Sequence, residues 1–323
     1  MIDINEHDFK NQKIIADIGG TNARFGILNK DGSIQDLIVL KGKDFDSFVD
    51  AFQEYVRLCS CEHIKNAAVA IANPIDGDLI KMTNHNWNFS IESARQALGL
   101  DKLIFKNDFT ALAMSIPFLD EIDLKQIGGS RYIKKSPIAV LGPGTGLGVS
   151  GLIYSGKDWI PLASEGGHVS LSPTTDREFE IFEACLNYYK HVSAERLISG
   201  SGIQFLYSVI CELDGVEAIK DIKAADVTSK GLAQSDAQCI ETLNIFTGLL
   251  GGVAGNVALS IGAKGGVYIG GGIIPKLGEY FYRSPFRERF EAKGRFKSYL
   301  KDIPVYVINA KYPALTGISQ VFK

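Results

Sequence analysis

Two stretches of the chain share one plan. KIIADIGGTNARFGIL (Lys13 to Leu28) and PIAVLGPGTGLGVSGLI (Pro137 to Ile153) each run from an apolar segment through a glycine turn with a threonine into a second apolar segment. Apolar runs joined by such a turn predict a hairpin. One hairpin opens each half of the chain, which predicts an internal duplication. The 323 residues suit two domains, because single cores stop growing near roughly 250–300 residues.

Each hairpin leads into a series of strand–helix pairs. In the first half, Ser33 to Lys41 reads as a third strand. Phe45 to Leu58 reads as a helix with Phe48, Val49, Phe52 and Val56 on one face. NAAVAIA (Asn66 to Ala72) reads as a buried strand, Ile91 to Leu98 as a helix, and Lys102 to Phe105 as a strand running into Asn107, Asp108 and a helix from Phe109. In the second half, helices are expected over Asp176 to Lys190 and Ser193 to Leu206, with a polar helical region over Leu213 to Gln238. An apolar helix and the strand VYIGGGI come next. RSPFRERFEAKGRFKSYLKD reads as a basic, solvated helix and loop, before the strand IPVYVIN and a terminal helix from Ala314. Hairpins leading into strand–helix pairs, twice over, predict an α/β protein of two domains. The expected boundary is near Ile116 and Pro117: a small domain over 1–116, a large one over 117–308, and a helix at about 309–323 returning to the first.

Bulk properties exclude some partners. Hydrophobic residues make up 46% and charged ones 22%, a globular balance, and the net charge of −3 offers nucleic acid or an anionic membrane no electrostatic footing. Cys59, Cys61, Cys185, Cys211 and Cys239 are odd in number and irregular in spacing, as expected for reduced thiols in a cytoplasmic protein. The start, MIDINEHDFKNQK, has no apolar core of a signal peptide. IFTGLLGGVAGNVALSIGA (Ile245 to Ala263) is uncharged and long, but its glycines and Asn256 suit a helix buried inside a soluble domain.

Glycine turns can gather backbone N–H groups into a concave nest for an anion, phosphate above all. Thr21, Asn22 and Thr145 add side-chain donors, and Gly270 to Gly272 form a third glycine run. Neither turn fits the P-loop or the dinucleotide fingerprint. Asp17 ends an apolar strand, where a carboxylate needs a partner: either Mg²⁺ beside a phosphate or a turn-capping role. Arg24, across the turn, can pair with Asp17 or with a phosphate. Asp108 reads either as a helix cap or as a base at a strand's C-terminal end. TNHNWNFS (Thr83 to Ser90) reads either as a surface turn or as the wall of a sugar site. In SEGGHVSLS, Glu165 and His168 read either as a structural turn or as two groups reaching one polar ligand. Glu195, at helical spacing from Glu183 and Lys190, reads first as a solvated helix face.

Taken in order, ADIGGTNARFG, TNHNW, KNDFTA, GTGLG, EGGHVS and HVSAERLISGSG resemble the bacterial glucokinases, ATP-dependent hexokinase-type enzymes. The resemblance runs from about Lys13 to near the C-terminus. It implies two ribonuclease-H-like domains of the actin-like ATPase class with a cleft between them. It implies that Ala16, Asp17, Ile18, Gly19, Gly20, Thr21 and Asn22, with Gly144, Thr145 and Gly146, hold the phosphates of ATP. Gly270, Gly271 and Gly272 would lie near the adenosine, and Asp17 would hold Mg²⁺, directly or through water. Asn84, Asn107, Asp108, Glu165, His168 and Glu195 would bind D-glucose, with Asp108 the catalytic base toward its 6-hydroxyl. A homodimer is implied as well. Related sugar kinases carry a zinc-binding cysteine cluster after E-G-G-H; only Cys185 follows closely here, so no zinc is expected. Pro143 takes one N–H donor from the second turn. The alternatives are a kinase for mannose, fructose or an amino sugar, a nucleotide-gated sugar sensor, and a chaperone-like or filament ATPase.

Overall fold

The computed structural model describes residues 11–82 and 85–322. The chain divides into two compact units: one runs to Leu119 and resumes at Ala310, and the other spans Asp120–Asn309.

In the first unit, β1 (Lys13–Ile18), β2 (Asn22–Leu28), β3 (Ile34–Lys41), β4 (Asn66–Ile71) and β7 (Lys102–Asn107) form a sheet ordered β3-β2-β1-β4-β7. A separate ribbon pairs β5 (Leu79–Lys81) with β6 (Asn88–Ser90). β1 runs antiparallel to β2 and parallel to β4, and β4 runs parallel to β7. In the second unit, β8 (Leu124–Gln126), β9 (Ile138–Pro143), β10 (Leu147–Tyr154), β11 (Trp159–Leu162), β12 (Val267–Ile269) and β13 (Val305–Ile308) form a sheet ordered β11-β10-β9-β12-β13-β8. Without its added edge strand β8, the second order is the first again. A hairpin and a third antiparallel strand lie on one side, and two parallel crossovers lie on the other. The duplication seen in the two glycine hairpins therefore extends to the strand order of both sheets.

Burial explains the local structure. The helix Phe48–Cys59 starts where Ser47 accepts the Asp50 N–H, and it buries Phe48, Ala51, Phe52 and Tyr55. The expected face held Val49 and Val56 in place of Ala51 and Tyr55. Tyr55 turns inward because its ring stacks on Phe25 at 5.1 Å and its hydroxyl donates to the Asp36 carbonyl. The C-terminal helix Pro313–Ser319 lies on the other face of the first sheet, with Leu315 and Ile318 fully buried against Ile15, Ala68, Ala70 and Ala111. A Cβ on Gly317 would strike the Ala111 carbonyl, so glycine there sets how closely this helix meets Asp108–Ser115.

The core of the second unit gathers around the helix Ala237–Ile261. Among the described residues this is the one helix long and apolar enough to cross a membrane, and 13 of its residues are buried by neighbours inside the unit. It begins well before Ile245, capped by Asp236. The expected solvated basic helix and loop is solvated over 292–298, but its first half is packed inward. RSPFRERFEAKGRFKSYLKD folds as the helices Phe286–Glu291 and Lys297–Asp302, with Phe286 and Phe290 wholly buried on the long helix. Two of its four arginines serve the fold: Arg287 donates to the Ile303 and Lys301 carbonyls, and Arg289 pairs with buried Glu178 at 2.9 Å. Charge alone suggests solvent, whereas the phenylalanine pair at i and i+4 decides the packing. The single helix expected over Ser193 to Leu206 is in fact two. The chain breaks it at Ile198, and Ser199 caps a fresh helix over Gly200–Asp214.

Candidate functional site

In the first unit, Ile18, Ile71 and Asn107 sit on one rung across β1, β4 and β7. The glycine turn after β1, Asn73 after β4 and Asp108 after β7 therefore leave the sheet at the same C-terminal edge. That is the edge where open α/β sheets bind ligands.

The turn is built economically. Gly19 N–H closes it onto the Asn22 carbonyl at 3.0 Å, and the Thr21 carbonyl accepts Gly42 N–H. Among the described residues, no hydrogen bond engages the N–H of Gly20 or Thr21, so these two are the donors left for an anion. Ala16 and Ile18, expected near the phosphates, point into the core and are 0% and 1% exposed. Asp17 points to the opposite face. Its carboxylate meets Arg24, directly across the hairpin, at 2.9 Å. Burial pushes the Asp17 carboxyl above its ordinary range, while the Arg24 guanidinium pulls it back. Arg24 also lies over the Tyr312 ring, 5.6 Å from its centroid.

Of the two residues at the end of β7 and the start of the next helix, Asn107 is the one that caps the helix. Its Oδ1 accepts the N–H of Phe109 and Thr110 at 2.9 and 3.1 Å. Asp108 is the first helical residue, and one of its oxygens accepts Phe109 N–H. The capping role open to Asp108 thus belongs to its neighbour. Asn73, in sequence no more than a strand end, is buried, and its carbonyl lies 3.5 Å from Asn107 Nδ2. A polar residue within three positions of the end of each of β1, β4 and β7 (Thr21, Asn73 and Asp108) is the clue the sequence offers.

Of the TNHNW stretch, Asn84 lies outside the described residues. Trp87 is buried, its indole N–H donating to the Phe45 carbonyl, and His85 packs edge-on to it at 4.5 Å. The tryptophan is a core plug rather than a surface feature.

The second unit repeats the edge. Leu141 and Ile269 pair across β9 and β12, so the turn Gly144–Gly146 and the run Gly270–Gly272 emerge together. Gly144 N–H closes the turn onto the Gly146 carbonyl at 2.7 Å. As in the first turn, the next two N–H groups, here Thr145 and Gly146, are not engaged by hydrogen bonds among the described residues. Pro143 ends β9, and its carbonyl is pressed by Gly271, whose φ of +83° and lack of room for a Cβ both require glycine. In the turns themselves, Gly19, Gly20, Gly144 and Gly146 have no left-handed backbone. Glycine there supplies space: nothing lies within 4 Å of where a Cβ on Gly144 or Gly272 would stand.

Glu165, His168 and Glu195 belong to the same unit. Glu165 precedes the single turn Gly166–His168, and both Glu165 and His168 are exposed. Glu195 is the second residue of the short helix Ala194–Leu197, capped by Ser193. Its Oε1 lies 3.9 Å from His168 Nε2, and its Oε2 accepts Leu147 N–H at 2.9 Å. Helical spacing from Glu183 and Lys190 suggests a solvated face, but the chain turns after Leu186 and swings Glu195 onto the glycine turn. Cys185 is a core side chain whose thiol burial pushes up to about 11.

Comparison with known proteins gives a consistent picture. A family model described as glucokinase matches residues 14–323. A glucokinase of Chromobacterium violaceum is 48% identical over 307 residues, 95% of this chain and 88% of that one. A glucokinase of Neisseria meningitidis is 48% identical over 305 residues, covering 94% and 93%. Among solved structures, a glucokinase from an Antarctic psychrotroph superposes with a TM-score of 0.85 at 34% identity, over 96% of this chain and 98% of that one.

Proposed function

This chain belongs to the glucokinase family, and from that premise we propose how its residues carry the reaction. The activity is that of an ATP-dependent hexose kinase, which phosphorylates glucose with ATP. We infer that Asp108 is the general base. It accepts the proton of the glucose 6-hydroxyl as that oxygen attacks the γ-phosphorus and the bond to the ADP oxygen breaks. The carrying observation is the shared rung of Ile18, Ile71 and Asn107, which sends the first phosphate turn and Asp108 off the same sheet edge. Asn107 supports the role, because its cap on Phe109 and Thr110 fixes the backbone that presents Asp108.

The remaining assignments rest on the available donors. Gly20, Thr21, Thr145 and Gly146 offer N–H groups to phosphate oxygens, and Gly270 to Gly272 leave a bare backbone against which adenosine can lie. Glu165, His168 and Glu195, with Asn84 and Asn107, read the sugar hydroxyls. The Asp17 carboxylate is a hard oxygen donor with one oxygen engaged by Arg24, which fits Mg²⁺ held directly or through water. When bound, Mg²⁺ neutralises phosphate charge during transfer. The common strand order of the two sheets supports the ribonuclease-H-like, actin-like ATPase class. A homodimer is part of the same reading, and a single-chain mass by sedimentation would remove it.

The experiment is ADP release from Mg-ATP across a panel of hexoses with a no-sugar control. Turnover with D-glucose is expected. Asp108→Asn should lower kcat by about 10³-fold or more while glucose still binds. Near-normal turnover in that variant would overturn the base assignment and leave the family assignment standing.

A further inference from the structure

Glu195 lies where the sugar-reading segment and the second phosphate turn meet. Oε2 accepts the N–H of Leu147, the first residue after the turn, and Oε1 faces His168 Nε2. The backbone permits this contact from both sides. A Cβ on Gly146 would strike Glu195 Oε2, and a Cβ on Gly167 would strike the Leu147 carbonyl. The helix that carries Glu195 is tied to the strip after His168, because Ala194 N–H donates to the Val169 carbonyl and Ser193 bridges to Ser170. The turn, the E-G-G-H segment and the Glu195 helix therefore converge on a single carboxylate.

We propose that Glu195 splits two tasks between its two oxygens: Oε2 positions the phosphate turn for the nucleotide, and only Oε1 reads a sugar hydroxyl. A carboxylate accepting a backbone N–H is a strong, directional restraint. The Leu147 N–H adjoins the two donors, Thr145 and Gly146, that the turn keeps for phosphate, so fixing Leu147 fixes their direction. Glu195 is thus a positioning residue for ATP as well as a sugar contact. The proposal rests on reading Glu195 as a sugar contact, and the test separates the two.

The readout is binding of a fluorescent ADP analogue to sugar-free enzyme, set beside glucose binding without nucleotide. Glu195→Ala should weaken both, each by about tenfold or more, the scale of a lost hydrogen bond to a charged group. Glu195→Gln keeps a carbonyl oxygen for Leu147 N–H, so it should hold ADP within about threefold of wild type while losing glucose. Gly146→Ala should weaken glucose binding although the substitution is in the phosphate turn, because its Cβ displaces Glu195. Unchanged ADP affinity in Glu195→Ala, with glucose binding lost, would overturn the positioning role and leave the sugar contact. If neither affinity moves, both readings fall. Equal ADP loss in the Gln and Ala variants would also overturn the proposal. Should Glu195→Ala not fold, Gly146→Ala decides, because its Cβ displaces Oε2 from Leu147 N–H: unchanged ADP affinity would overturn the positioning role.

Discussion

Asn107 and Asp108 stand side by side and do different work. Asn107 Oδ1 holds the first turn of the helix, so Asn107→Ala should destabilise the fold by about 1 kcal/mol, the usual cost of a lost N-cap, read from the urea midpoint. It should also lower kcat, since Asp108 is presented by the backbone that this cap fixes. The cysteines give a second prediction. Burial lifts the Cys61 and Cys239 thiols to about 12 and the Cys185 thiol to about 11. Fewer than about one in a thousand of each is then thiolate at pH 8, and native enzyme should resist iodoacetamide at these three positions until unfolded. Stability depends on pH with a definite sign. A thiol whose pKa is raised on folding contributes fully below its unfolded value near 8.5, and that contribution is lost as pH climbs toward 11–12. The melting temperature should therefore fall across that alkaline window.

Among elements, two contacts carry the clearest consequences. Gly317 lets the C-terminal helix press on the helix that begins at Asp108. Gly317→Ala should cost about 1–3 kcal/mol through overpacking. Because the displaced helix carries Asp108, kcat should drop more than the glucose KM rises. In the second unit, Glu178 accepts from Thr174 N–H and pairs with Arg289, whose Nε is buried without a hydrogen-bond partner among the described residues. Glu178→Ala strands that guanidinium, so a loss of about 3–5 kcal/mol is expected in denaturant melts. Replacing both partners with apolar residues should recover most of it.

On the scale of the whole molecule, the first unit closes its core with residues from the far end of the chain. Leu315 and Ile318 are wholly buried with Ile15, Ala68 and Ala70. A chain ending at Asn309 should lose amide-exchange protection in β1 and β4 while keeping it in β9 and β12 of the second unit. Equal protection in both sheets would show that the terminal helix is dispensable to that core.

The sequence by itself determined the duplication, the α/β class, the glycine hairpins and the family, because apolar periodicity, turn chemistry and an ordered set of motifs are local features of the chain. Asp17, Asn107 and Asp108 stand out because polar residues that end apolar strands are conspicuous. Tertiary structure alone decided the rest. Asn107 rather than Asp108 takes the cap because capping depends on backbone angles. Ala16 and Ile18 face the core because strand alternation assigns faces only once a second layer exists. The basic RSPFRERF segment is folded inward because Phe286 and Phe290 gain more from burial than its charges lose, once Glu178 and the backbone carbonyls stand ready to pair them. Glu195 meets the glycine turn only because a chain reversal after Leu186 brings together residues far apart in sequence, and no spacing rule encodes that encounter.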